Sequence, residues 1–310
     1  MIIEQMEKVI ENIERHIVGK REVIELSLTA LLSGGHILLE DVPGVGKTAL
    51  VKVLAQSLQL PFQRIQFTPD LLPSDILGVS IYNPATQQFE FKKGPIFGSV
   101  LLADELNRAS PKTQSALLES MEEQRVTMDG ATYALPQPFF VMATQNPATH
   151  HGTYDLPEAQ LDRFLFKVKM GYPEYEEELF LLNHHMENSV LQPVLTIEAL
   201  MEMKREVHGV KIHEQVQRYL LDLVRSTRIH PSLDLGLSPR SALAFQHATK
   251  AYATLKGRMY VTPDDIQYLF PYIALHRLHE TKEALFEGMT LEQIVADIIV
   301  TTPVPVGVFV

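Results

Sequence analysis

No cysteine occurs among the 310 residues, which excludes disulfides and thiolate-held metal ions. That fits a reducing compartment, and a cytoplasmic location is expected. No run reaches the roughly 18 apolar residues of a membrane-spanning helix, so membrane insertion is not expected. The amino terminus, MIIEQMEKVIENIERH, mixes acids with apolar residues at helical spacing and lacks the apolar h-region of a signal peptide. The uncharged stretch from Ile298 to Val310 contains two prolines and is expected to be a docked, irregular tail.

Basic residues are also in deficit. Lys and Arg number 27 against 38 Asp and Glu, a net charge of -11, and no Lys/Arg-rich block or zinc-finger spacing occurs. Nonspecific attraction to nucleic acid or to anionic membrane is therefore not expected. No HExxH arrangement accompanies His150-His151 or His184-His185, so these histidines read as satisfied or solvent-facing side chains. No GxSxG elbow supports serine hydrolase chemistry.

What remains is a pattern of short apolar strands separated by helical segments. Helices are expected over 2–16 and 20–33, and Gly34-Gly35 end the second before a strand from His36 to Leu39. Thr48 to Leu60 has helical periodicity. Further strands are expected at Arg64–Phe67, Val100–Ala103 and Phe139–Ala143. This alternation predicts an α/β fold with a parallel sheet covered on both faces, its reactive residues at the carboxyl ends of the strands. Two β-hairpin inserts are expected, one turning at Asn83-Pro84 and one at Asp129-Gly130. Tyr82, Phe89, Phe91 and Tyr133 on them read as packing residues rather than base-stacking ones. After Gly171-Tyr172-Pro173 the pattern becomes helical over 174–187, 197–207, 214–227, 239–254 and 263–278. The expected division is an α/β domain over 1–173, then a linker, helical lid domain and tail over 174–310.

The chemistry-bearing residues stand at those strand ends. EDVPGVGKT, residues 40–48, follows the first strand. Gly44 and Gly46 let successive backbone N–H groups face one anion, and the helix that begins near Lys47 adds its positive end. Pro43, Gly44, Val45, Gly46, Lys47, Thr48 and Ala49 form the expected phosphate cradle. Lys47 would contact the outer phosphates and the Thr48 hydroxyl would hold Mg²⁺. Asp41 stands where the usual G-x-x-x-x-G-K-[ST] pattern has glycine; its carboxylate is expected to point away from phosphate and cap the local turn. VLLADE, residues 100–105, ends an apolar strand in two carboxylates. Asp104 would support Mg²⁺ and Glu105 would polarise an attacking water. Asn146, at the end of the next strand, could orient that water or cap an Asn-Pro turn. Arg163 either pairs locally or reaches a neighbour's γ-phosphate, and Arg240 could approach phosphates from the lid side. Arg108, Arg225 and Arg228 are their rivals.

GVGKT, LLADELNRASPKTQSALLESMEE, ATQNP, GTYDLPEAQLDRF and LSPRS, in that order, resemble the MoxR family of AAA+ ATPases over essentially the whole chain. The resemblance implies that Asp104 and Glu105 are the Walker B pair, Asn146 the sensor 1 residue, Arg163 the arginine finger and Arg240 the sensor 2 residue. It makes the two hairpins the helix 2 insert and the insert before sensor 1. It further implies ATP and ADP as ligands with Mg²⁺, a homo-oligomer, commonly a hexameric ring or open spiral, and chaperone-like work on a protein client. A von Willebrand factor A domain partner is expected as a separate polypeptide. The two competing readings are a nucleic-acid-stimulated ring motor, which needs a basic central surface, and a scaffold that binds nucleotide without hydrolysing it.

Overall fold

A computed structural model describes residues 2–42, 44–146, 153–183 and 191–307. In chain order its strands are β1 (Ile37–Glu40), β2 (Phe62–Gln66), β3 (Gly78–Asn83), β4 (Gln88–Lys93), β5 (Val100–Asp104), β6 (Arg125–Met128), β7 (Ala131–Ala134), β8 (Phe140–Gln145), β9 (Phe166–Val168), β10 (Leu233–Leu235) and β11 (His279–Glu280). Five of them form one parallel sheet in the order β2-β5-β8-β1-β9. Because successive side chains alternate across a sheet, Ile37 and Leu39 enter one core and Leu38 the other. Val100 and Leu102 part from Leu101 and Ala103 in the same way. The strands are apolar on both faces because helices cover both.

The expected division after residue 173 is not a division of the core. One continuous apolar cluster runs from Met6 in the first helix, through one face of the sheet, to Ile298 near the carboxyl end. The physical reason lies in the helix Arg21–Ser33, which is buried from Val23 to Leu32. A helix buried on all sides needs partners on every side, and it finds one in the lid helix Pro239–Leu255.

The two hairpins form as β3 with β4 and β6 with β7. Asp129 and Gly130 both have positive φ, +49° and +80°, as the tight turn requires. The hairpins touch each other: Phe91 stacks on Tyr133 with ring centroids 4.4 Å apart. Phe89 does not share in that packing and is 74% exposed. Three departures from expectation concern short or terminal elements. β9 joins the sheet edge, β10 and β11 pair within the lid, and the helix Leu291–Thr301 carries the chain through Ile298. That helix forms because Thr290 and Gln293 make a capping box and Ile294, Val295 and Ile298 are buried. Among the described residues, the tail is irregular from Thr302 to Gly307.

His36, just before β1, fastens the sheet to the helix Pro111–Glu123. Its Nδ1 accepts the Val141 N–H at 3.1 Å and its Nε2–H donates to the Met121 carbonyl at 3.3 Å, so the buried ring is neutral. Burial lowers its pKa from 6.5 to about 4; the Met121 carbonyl opposes that shift and the Lys204 charge adds to it. Between those values the unfolded chain binds the extra proton, so the neutral ring's contribution is complete above pH 6.5 and is lost as pH falls through the window. The loss should reach the order of 3 kcal/mol. Thermal unfolding at pH 7 and pH 4.5 should show a smaller acid penalty for His36→Gln than for the unsubstituted chain; equal penalties would contradict the assignment.

Candidate active site

The loop between β1 and the helix Lys47–Ser57 is held from below and open above. Val45 packs against the core, while Gly44 and Gly46 take φ of +89° and +91°. A Cβ added at either would meet nothing within 4 Å, so glycine is required there by the left-handed backbone and not by crowding. Gly46 caps the helix without a side-chain hydrogen bond, whereas the helices beginning after Ser110, Thr196, Ser238 and Thr262 each have a hydroxyl cap. The first-turn amides are thus left for an anion. Pro43 lies outside the described residues.

Lys47 Nζ folds back on the root of this loop, donating to the Asp41 carbonyl at 2.8 Å and the Val42 carbonyl at 3.2 Å. Desolvation lowers its pKa, and the charges of Asp41, Asp104 and Glu105 pull the other way. The Asp41 carboxylate turns away from the loop: Oδ1 accepts the Val42 N–H at 2.8 Å and Oδ2 the Gly171 N–H at 2.6 Å. It joins the loop to the connector that follows β9.

The two acids at the end of β5 are held by different partners. Asp104 Oδ1 accepts the Thr144 hydroxyl at 2.6 Å, and Oδ2 pairs with Arg64 Nη2 at 2.6 Å. The same Thr144 oxygen accepts the Glu105 N–H at 2.8 Å, so one buried hydroxyl on β8 sets both residues. Glu105 has left-handed backbone angles, φ 57° and ψ 48°, an uncommon state for a residue with a side chain. Its Oε2 accepts Gln66 Nε2 at 2.8 Å and Arg108 Nη1 at 2.7 Å. Gly44, Gly46, Lys47, Thr48, Ala49, Asp104, Glu105 and Asn146 all line one cleft of about 480 Å³, together with Arg64, Gln66 and Thr144.

Arg163 and Arg240 are not in that cleft. They converge elsewhere: Arg163 Nε donates to Glu122 Oε2 at 3.0 Å, and Arg240 Nη1 to Glu122 Oε1 at 2.8 Å. Both line a separate cavity of about 160 Å³. The expected lid-side approach of Arg240 to the phosphates of its own chain is thus not seen; the first turn of the helix Pro239–Leu255 presents it to Glu122 instead. Arg108 stands at the cleft through Glu105, while Arg228 donates to the Leu237 carbonyl at 2.7 Å. Sequence reasoning missed Arg64, Gln66, Thr144 and Glu122. The parallel register of β2 with β5, which sets Gln66 opposite Asp104, would have found the first two.

The residues fit a Mg²⁺-bound nucleotide. Among the described residues no three His, Cys, Asp or Glu side chains converge as a metal cage, and Thr48 with Asp104 at one cleft matches Mg²⁺ chemistry. That ion is usually held by one or two protein groups, water and phosphate oxygens. Since the Asp41 carboxylate is occupied by backbone amides on the far side, Asp41→Asn should keep ATP affinity within about threefold of the unsubstituted chain, roughly 0.7 kcal/mol. Nucleotide titration by calorimetry checks this, and a tenfold gain in affinity would mean that the carboxylate repels phosphate.

Comparison with known proteins agrees with this geometry. The model of the ATPase family associated with various cellular activities (AAA) matches residues 36–166, and that of the AAA lid domain matches residues 225–298. The Bacillus subtilis protein YeaC, uncharacterised itself, is 55% identical over 96% of this chain and 94% of its own. Chaperone MoxR1 of Mycobacterium tuberculosis is 39% identical over 98% and 83%, and protein MoxR of Methylorubrum extorquens 28% identical over 93% and 90%. A solved structure of a candidate ATPase from Cytophaga hutchinsonii superposes with a TM-score of 0.91 at 39% identity, over 98% of this chain and 96% of that one. The strand-end cleft, the lid and these relatives lead to one conclusion: the chain belongs to the MoxR family of AAA+ ATPases.

Proposed function

We propose that the chain hydrolyses Mg²⁺-bound ATP at the interface between adjacent copies and uses the cycle to remodel a protein client. The observation that carries this reading is the separation of cations: Lys47 and Arg64 line the phosphate-loop cleft, Arg64 committed to Asp104, whereas Arg163 and Arg240 meet on Glu122 beside another cavity. Charge developing on the γ-phosphate needs more than one cation. A neighbouring copy supplies the rest by bringing its Arg163 and Arg240 to the first copy's cleft.

Within the cleft the first-turn amides and Lys47 bind the phosphates, while Thr48 and Asp104 hold the metal ion. Mg²⁺ held by Thr48 and Asp104 would supply charge neutralisation of the phosphate oxygens. Glu105, once released by Gln66 and Arg108, takes a proton from the attacking water, and Asn146 orients that water by its amide. Arg64 holds the Asp104 Oδ2 that the metal ion would compete for. A homo-oligomer follows from the divided site, with a hexamer as the arrangement the family suggests. The name of the chaperone relative supports a protein client, and the family supports a separate von Willebrand factor A domain partner. The net charge of -11 favours a protein client over nucleic acid.

Glu105→Gln should bind ATP with unchanged affinity and turn it over at least about a hundredfold more slowly; unchanged turnover, or loss of binding in a folded variant, would remove Glu105 from its role. Arg163→Ala should assemble yet lose about a thousandfold in turnover. Mixing it with Glu105→Gln should restore activity at interfaces that combine one intact cleft with one intact Arg163. Phosphate release from mixed assemblies measures this, and no recovery would rule out action across the interface.

A further inference from the structure

Arg163 lies on a short segment without regular secondary structure. Asp162 to Leu165 bridges a four-residue helix, Glu158–Leu161, and the three-residue strand β9. Arg277, placed after the lid helix Pro263–Ala274, has a side chain only 4% exposed and spends its guanidinium on this segment. Nε donates to Asp162 Oδ1 at 2.6 Å, Nη2 to the carbonyls of Phe164 at 2.5 Å and Asp162 at 3.2 Å, and Nη1 to that of Leu165 at 3.1 Å. The remaining Nη1 bond goes to the Ile273 carbonyl in its own helix, at 2.5 Å. All five N–H donors of the group are used.

The same Asp162 oxygen also accepts the Ser241 hydroxyl at 3.0 Å. Asp162 immediately precedes Arg163, and Ser241 immediately follows Arg240. One carboxylate oxygen therefore joins the roots of the two arginines, while Glu122 joins their tips. The two joints differ in kind. Arg240 at the tip is 55% exposed, so its Glu122 pair is open to exchange for another anion. The root joint is multidentate, with Arg277 4% and Asp162 25% exposed, a geometry that fixes orientation. A hydrophobic plug of similar size would hold lid to core with less desolvation; what it would not do is set the spacing and direction of Arg163 relative to Arg240.

We propose that Arg277, through Asp162 and Ser241, is a positioning residue that presents Arg163 and Arg240 as one rigid pair to the ATP of the neighbouring copy. The proposal rests on the reading that these arginines act across the interface. Its effect belongs to the copy that donates the arginines and leaves that copy's own cleft intact.

The test uses Arg277→Lys and the isosteric Asp162→Asn, each in the full chain. Both should assemble, bind ATP as the unsubstituted chain does, and hydrolyse it about ten- to a hundredfold more slowly, the cost of a misplaced catalytic group. Mixed with Glu105→Gln, each should recover turnover as Arg163→Ala does in a parallel control, because Glu105→Gln copies donate a correctly set pair. Unchanged turnover in both variants would overturn the proposal. So would a defect that mixing does not relieve while the Arg163→Ala control is relieved, which leaves action across the interface standing. If the control is not relieved either, both readings fall. Should Arg277→Lys not assemble, Asp162→Asn carries the test; failure of both to assemble would make the joint purely structural and refute the positioning role.

Discussion

Bringing a polyphosphate to two carboxylates is the constraint on which the rest of this structure depends. Asp104 and Glu105 sit at the end of β5 beside the loop that would cradle the anion, and like charges at that range repel strongly in a partly desolvated cleft. Before ligand arrives, every charge there is matched: Asp104 by Arg64, Glu105 by Gln66 and Arg108, and Lys47 by the carbonyls at the root of the loop. Nucleotide and metal would exchange these internal partners for phosphate oxygens, and the proposed completion of the charge balance draws on the arginines that one copy holds at Glu122.

The packing of the lid follows from the same need. A helix buried on all sides, Arg21–Ser33, ties the amino-terminal region to the lid helix Pro239–Leu255 through one continuous core. That fixes the lid where Arg240 reaches Glu122 and lies apart from its own phosphate loop. The ATPase family and the lid assignment say what kind of machine this is; the position of the lid is the ground for the proposal that the arginines serve a neighbouring copy.

Much of this was legible in the sequence. Buried strands with apolar residues on both faces announced the parallel sheet, and the Asp129-Gly130 turn announced its hairpin, because both signals are local and depend on backbone chemistry. The strand-end motifs located the loop residues, Asp104, Glu105 and Asn146, which the structure gathers in one cleft. The local cap by Asp41 on the Val42 amide was an expectation of the sequence, whereas its bond to the Gly171 amide, distant in the chain, was not. Strands of two or three residues, such as β9 and β11, are too short for alternation to register. Arg64, Gln66, Thr144 and Glu122 escaped because their roles arise from strand register and from contacts between residues far apart in the chain. The left-handed backbone of Glu105 likewise has no local signature in its residue type.

If the site is divided between copies as proposed, activity depends on association. ATP turnover per subunit, followed across a dilution series alongside the mass of the assembly, tests that claim most directly. Turnover per subunit should rise with concentration in step with assembly and level off when assembly is complete. A constant turnover per subunit down to the monomer would show that one copy holds every group the reaction needs, and would contradict the account.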